Sequence, residues 1–179
     1  MLTTAIGARG WSWIRPVLWG GAAVLMLVPL LAMTFAPGLG FDWTLGDFIF
    51  AALLIGGVGL AFELAVRVSP SWSYRAGAAL GLAAGFSLIW ANGAVGYIGS
   101  EDNPYNLVFF IVIAIAFAGA LVSGFRARGM AWTMAAAGAA HALAGFGGAA
   151  EDPITIPITI VFVGMWLGSA RLFLAAARE

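Results

Sequence analysis

Cysteine and lysine are both missing from this 179-residue sequence. Without thiols there are no disulfides, no thiol chemistry, no iron–sulfur cluster and no thiolate zinc site. Without lysine no Schiff base forms, which excludes covalent retinal and pyridoxal phosphate, and there is no P-loop lysine. The single histidine, His141, excludes two-histidine haem ligation within one protomer. The His-Glu-x-x-His zinc motif is absent for the same reason. No other cofactor is indicated. Charge is scarce: 9% of the residues are charged, against roughly 25% in ordinary soluble domains. Net charge is zero and no basic tract stands out, so neither a nucleic-acid partner nor a polybasic surface anchor is indicated.

What the chain has instead is apolar length. Hydrophobic residues make up 63% of it and the mean hydropathy is +1.01. A span needs about 20 mostly apolar residues. Six segments qualify, at 17–36, 46–68, 75–98, 105–125, 130–149 and 155–177. The expected fold class is therefore all-α, a single six-helix transmembrane bundle over 17–179 behind a short segment, 1–16. A signal peptide is the competing reading of Arg9, Arg15 and the apolar run from Val17. The one cleavage-like spot, Thr34-Phe35-Ala36, is followed by Pro37, so this run reads as a retained helix.

The charges sort by loop. Arg9 and Arg15 precede the first span, Arg67 and Arg75 flank the second loop, Arg126 and Arg128 form the fourth, and Arg171 and Arg178 close the last helix. The other loops carry only acids: Asp42 and Asp47, Glu101 and Asp102, Glu151 and Asp152. Arginine on alternate sides is the positive-inside pattern, which puts both ends in the cytoplasm. Trp11, Trp13, Trp72, Tyr74 and Trp132 fit an inner aromatic belt, and Trp43, Tyr97 and Tyr105 an outer one. Trp90 and Trp166 lie deeper and read as packing residues.

The outer acids admit two readings. Glu101, Asp102, Glu151 and Asp152 could form an oxygen-rich cation site. Alternatively they cap helices two, four and six, whose N-termini all lie on that side. Thr44 and Asp47 have capping-box spacing, and the runs Ser100-Glu101-Asp102-Asn103-Pro104 and Glu151-Asp152-Pro153 place cap residues before a proline. Capping is the stronger reading, because carboxylates there also complement the helix dipoles.

Helices three–four and five–six resemble each other as hairpins that turn at Glu-Asp-(Asn)-Pro, a parallel repeat with its axis along the membrane normal. Close helix contact in lipid relies on small residues, and the chain has 25 glycines. Glu63, Asn92, His141 and Arg171 are the polar residues at depth, where such groups usually face protein. Helical spacing puts each on a stripe with glycines: Glu63 with Gly56 and Gly59, Asn92 with Gly85 and Gly96, His141 with Gly138 and Gly145, Arg171 with Gly164 and Gly168. All four are therefore expected to point inward. The structural alternatives are a Glu63–Arg67 pair, an Arg171 that snorkels, an Asn92 that glues helices and a His141 satisfied in the core.

The stretch from Trp90-Ala91-Asn92 through Gly99-Ser100-Glu101-Asp102-Asn103-Pro104, with Asp47-Phe48 and Glu63-Leu64, resembles a group of uncharacterised bacterial multi-pass inner-membrane proteins. The likeness covers helices two to four well and the last two poorly. It implies a bacterial inner-membrane origin and brings no activity with it.

Two functions from different classes follow. One is binding or transport of a small solute, proton or cation through a polar site lined by Glu63, Asn92, His141 and Arg171. The other is an accessory or scaffold subunit that meets lipid, pigment, a second copy or a partner membrane protein through its Gly/Ala faces. An enzyme is third, because one histidine, no cysteine and scattered acids give no nucleophile–base pair.

Overall fold

The computed structural model describes residues 14–39 and 42–179, and those residues are helical with short connections. The α-helices are α1 (Ile14–Phe35), α2 (Leu45–Val68), α3 (Trp72–Ala94), α4 (Phe109–Val122), α5 (Ala127–Gly148) and α6 (Thr155–Ala176). Tight 3-10 turns cover Pro37–Leu39 and Pro104–Val108. Residues 1–13, with Arg9, Trp11 and Trp13, lie outside the described residues, so the expected inner segment 1–16 is largely outside them too.

Each of the six expected segments holds a helix. Five are long and apolar enough to cross a membrane: Pro16–Phe35, Leu45–Val68, Trp72–Ala94, Pro104–Val122 and Thr155–Ala176. Helix α5 is not among them. Alanine and glycine fill it, and its residues Met130, Ala131, Met134, Ala137, Gly138, His141 and Ala144 are buried. Its neighbours cover it on two sides, so it needs few large apolar side chains of its own.

The chain divides into two compact units, the first reaching Ala61 and the second running from Phe62 to Glu179. In the first, the Trp19 ring lies against Gly59 of α2, while most of the apolar surface of α1 and of this part of α2 is exposed. Such broad exposed apolar faces suit contact with lipid.

In the second unit α6 lies between α3 and α5, and α5 lies between α6 and α4. Glycines set these approaches. Gly77 and Gly81 on α3 meet Phe173 and Ser169 of α6, Gly138 and Gly145 on α5 meet Trp166 and Thr159 of α6, and Gly119 on α4 meets Thr133 of α5. Ser169 Oγ donates to the Gly77 carbonyl over 2.7 Å in the buried α3–α6 seam. The core between the helices holds Leu88, Phe109, Val112, Trp166 and Phe173. The expected equivalence of two hairpins is not seen in the packing. α5 packs along α6, its hairpin partner, whereas α3 packs along α6 instead of α4, because α6 occupies the place beside α3.

Long-range hydrogen bonds identify the two ends of this unit. At one end Tyr74 Oη donates to the Phe125 carbonyl over 2.7 Å, and Ser73 Oγ donates to Glu179 over 2.5 Å. Arg67, Arg75, Arg126, Arg128 and Arg178 all belong to the segments meeting there. At the other end Asn103 Nδ2 donates to Glu151 over 3.0 Å, and the Gly99 N–H donates to Asp152 over 3.3 Å. Glu101, Asp102, Glu151 and Asp152 lie on those turns. The arginine loops thus share one end of the unit and the acidic turns share the other.

Candidate functional site

His141 sits midway along α5 and is 0% exposed. Its imidazole stacks on Phe162, with ring centroids 5.0 Å apart and planes 12° apart. Tyr97 and Phe109 stand at 5.4 Å from it. Both ring nitrogens are occupied. Nε2 lies 2.9 Å from Tyr97 Oη, and Nδ1 accepts the Trp166 indole N–H over 3.4 Å.

The direction of these bonds follows from chemistry. An indole nitrogen only donates, so Nδ1 must be the bare nitrogen and the proton of the neutral ring sits on Nε2. Nε2–H then donates to Tyr97 Oη. Tyr97 Oη also lies 3.3 Å from Thr159 Oγ1, where either hydroxyl can donate. Trp166, His141, Tyr97 and Thr159 form one hydrogen-bonded chain, drawn from α5, α6 and the turn after α3. A second proton on the ring would face the indole N–H donor to donor.

Asn92 is also buried, at 8% exposure. Its Nδ2 donates back to the Leu88 carbonyl one turn earlier, over 2.9 Å. Its Oδ1 has no hydrogen-bond partner among the described residues. Asn92 and His141 do not bond to each other.

Glu63 is 15% exposed by its side chain and pairs with Arg67 over 2.5 Å, at i and i+4 on α2. Arg67 is 66% exposed. This is the structural alternative expected for the pair. Arg171 departs from expectation: it is exposed on the outward face of α6. The two glycines of its stripe differ: Gly168 meets Leu80 of α3, whereas Gly164 faces open space, with nothing within 4 Å of where a Cβ would stand. Of the four polar residues expected to converge, only Asn92 and His141 are deeply buried.

The residues expected in the aromatic belts differ in burial. Tyr74 and Tyr97 are buried and hydrogen-bonded through their hydroxyls, while Trp72 and Trp132 are exposed. Tyr105 is half-buried and donates to the Ala144 carbonyl over 3.1 Å.

The acidic turns are built by caps and clamps. Thr44 and Asp47 form a reciprocal box: the Thr44 N–H donates to the Asp47 carboxylate over 2.7 Å, and the Asp47 N–H returns to Thr44 Oγ1 over 3.4 Å. Asn103 Oδ1 accepts the Tyr105 N–H ahead of Pro104, and Asp152 Oδ1 accepts the Ile154 N–H ahead of α6. Asn106, absent from the sequence reading, is buried and clamps the preceding loop. Its Oδ1 accepts the Ile98 N–H over 2.8 Å and its Nδ2 donates to the Ser100 carbonyl over 2.8 Å. Among the described residues no three His, Cys, Asp or Glu groups gather in a way that could hold a metal ion. Glu151 and Asp152 are instead engaged by Asn103 and Gly99.

Near the other end Arg75 is buried and donates to the Ser69 and Val66 carbonyls over 2.9 and 3.0 Å. A cation there complements the C-terminus of α2. Beyond α6, the hydroxyls of Ser71 and Ser73 hold the Glu179 carboxyl below its ordinary 4.5.

No protein-family model, curated protein or solved structure matches this chain.

Proposed function

We propose that this chain is a six-span protein of the bacterial inner membrane with the arginine-rich end cytoplasmic, and that it is a non-catalytic accessory or scaffold subunit. On this reading it acts through helix faces presented to lipid or to a membrane partner. The sixth span is α5. At 1.5 Å per residue its 22 residues reach about 33 Å. Helix α4 ends on the arginine side and α6 begins on the acidic side, so a helix joining them must run from one side to the other. The grouping of arginines at one end and acids at the other supports the orientation.

The observation that carries the scaffold reading is the closure of His141. Its two nitrogens are taken up by Tyr97 and Trp166, and its ring is walled by aromatics. A group enclosed in this way fixes packing and has no free lone pair for a passing solute or proton. The runner-up is binding of a small solute, favoured by one atom: the orphan Oδ1 of Asn92.

Reconstitution into liposomes holding a pH-sensitive dye separates the two. The scaffold reading expects proton and cation leak equal to that of empty liposomes, for the native chain and for Asn92→Ala alike. A protein-dependent flux removed by Asn92→Ala or His141→Gln would replace it with the transport reading.

A further inference from the structure

We infer that the arginine end of the α5–α6 seam is a binding site for an anionic glycerophospholipid, its phosphate held by Arg171 with Arg128 and Arg178. The inference rests on the membrane reading above and adds the lipid class and the residues.

The starting point is the position of Arg171. It lies five residues before the end of α6, about 7 Å inside the helix on a 1.5 Å rise. It faces outward, and no carboxylate among the described residues pairs with it. An unpaired cation on the lipid face of a span is costly. A long side chain lessens that cost by reaching toward the headgroup level. There the available counter-charge is phosphate, which the planar guanidinium matches with paired donors.

The seam supplies the rest of the site. α5 and α6 run antiparallel, with Gly145 against Thr159 and Gly138 against Trp166 and Leu167. Continuing that register toward the arginine end sets Arg178 level with Ala127, beside Arg128. On α6 the spacing Leu167, Arg171, Leu174, Arg178 keeps these residues on one face. Leu167 is exposed yet lies close to Gly138, which places that face along the α5 border. On α5 Arg128 is exposed on the same side, one turn from the outward Trp132, which is 72% exposed. Three cations therefore rim a shallow apolar seam, and Gly164 leaves room farther along it for an acyl chain. A basic rim over an apolar channel complements a lipid with a negative headgroup and two hydrocarbon tails.

The test uses the full chain purified in a neutral detergent, with thermal unfolding followed by tryptophan fluorescence. Phosphatidylglycerol, phosphatidylcholine and soluble glycerol phosphate are added separately. At a hundredfold excess over its dissociation constant, phosphatidylglycerol is expected to raise Tm by roughly 5–10 °C. Phosphatidylcholine and glycerol phosphate are expected to give less than half of that shift. Arg171→Gln and Arg128→Gln are expected to keep the native Tm without lipid and to lose the phosphatidylglycerol increment. Equal shifts from both phospholipids overturn the arginine site while leaving membrane embedding intact. So does a full phosphatidylglycerol shift in Arg171→Gln. An equal shift from glycerol phosphate replaces the lipid with a free anion.

Discussion

Trp166 hands its indole N–H to His141 Nδ1 across 3.4 Å, and that contact decides which imidazole nitrogen carries the proton. Trp166→Phe keeps the ring in place but strips Nδ1 of its donor. A buried acceptor left alone costs about 1–3 kcal/mol. The expected outcome is a loss of stability in that range, measured by detergent-resistant thermal unfolding. Tyr97→Phe, which interrupts the chain toward Thr159, should cost about 1 kcal/mol. His141→Ala adds a cavity and should cost about 3 kcal/mol or more.

Two glycines should respond to alanine with opposite signs. A methyl at Gly145 would collide with the Thr159 hydroxyl, so Gly145→Ala should destabilise α5 against α6. Shortening the obstacle in Gly145→Ala/Thr159→Gly should recover part of the loss. Gly164 has open space around it, so Gly164→Ala should be neutral or stabilise by up to about 1 kcal/mol through helix propensity. Unfolding of the variants side by side checks the pair.

The acidic turns should be indifferent to divalent cations. Glu151 and Asp152 already accept hydrogen bonds from Asn103 and Gly99. Millimolar Ca²⁺ or a chelator is expected to move Tm by less than 1 °C, roughly the scatter of such measurements. Asn106→Ala should do far more. It strands the Ile98 N–H and the Ser100 carbonyl and should cost about 2 kcal/mol. A Ca²⁺-dependent rise of several degrees would return these acids to the status of a metal site.

Glu179 offers a titration outside the spans. Its carboxyl is held low by the Ser71 and Ser73 hydroxyls, so their support is present above the ordinary value of 4.5 and fades as pH falls through the lowered one. Carbon-13 NMR of the labelled carboxyl should give a midpoint below 4.5, and Ser73→Ala should bring it back up. A midpoint unaffected by that substitution would remove Ser73 as the cause.

Because the chain has no cysteine, single cysteines can be introduced without background. At Asp102 and Glu151 they should react with an impermeant maleimide on intact cells. At Ala127 they should react only after permeabilisation. Shielding at Glu151 with access at Ala127 would invert the proposed orientation and remove the cytoplasmic assignment of the arginine rim.

Much of the architecture could be read from the sequence because it depends on short spacings. Thr44 and Asp47 are three residues apart, and the capping box forms as their spacing predicts. Glu63 and Arg67 likewise pair across one helical turn. The partners of His141 were not legible, since Tyr97 and Trp166 lie 44 and 25 residues away and meet it only after the helices pack. Trp166 was recognisable as deep, yet nothing local shows where its N–H points. Arg171 was misplaced for a different reason. Glycine permits a close approach but does not require one, and Gly164 has no neighbour there.

Helix α5 draws its burial from its neighbours, and this has a consequence for biogenesis. Segments enter the bilayer according to their own apolarity as they leave the ribosome. Ala127–Gly148 emerges with Arg128 and His141 aboard and little bulk to hold it in lipid. On the proposed six-span reading, it settles only when the strongly apolar Thr155–Ala176 follows and the two insert together as a helical pair. A released chain that ends at Ala149 should therefore leave α5 outside the bilayer.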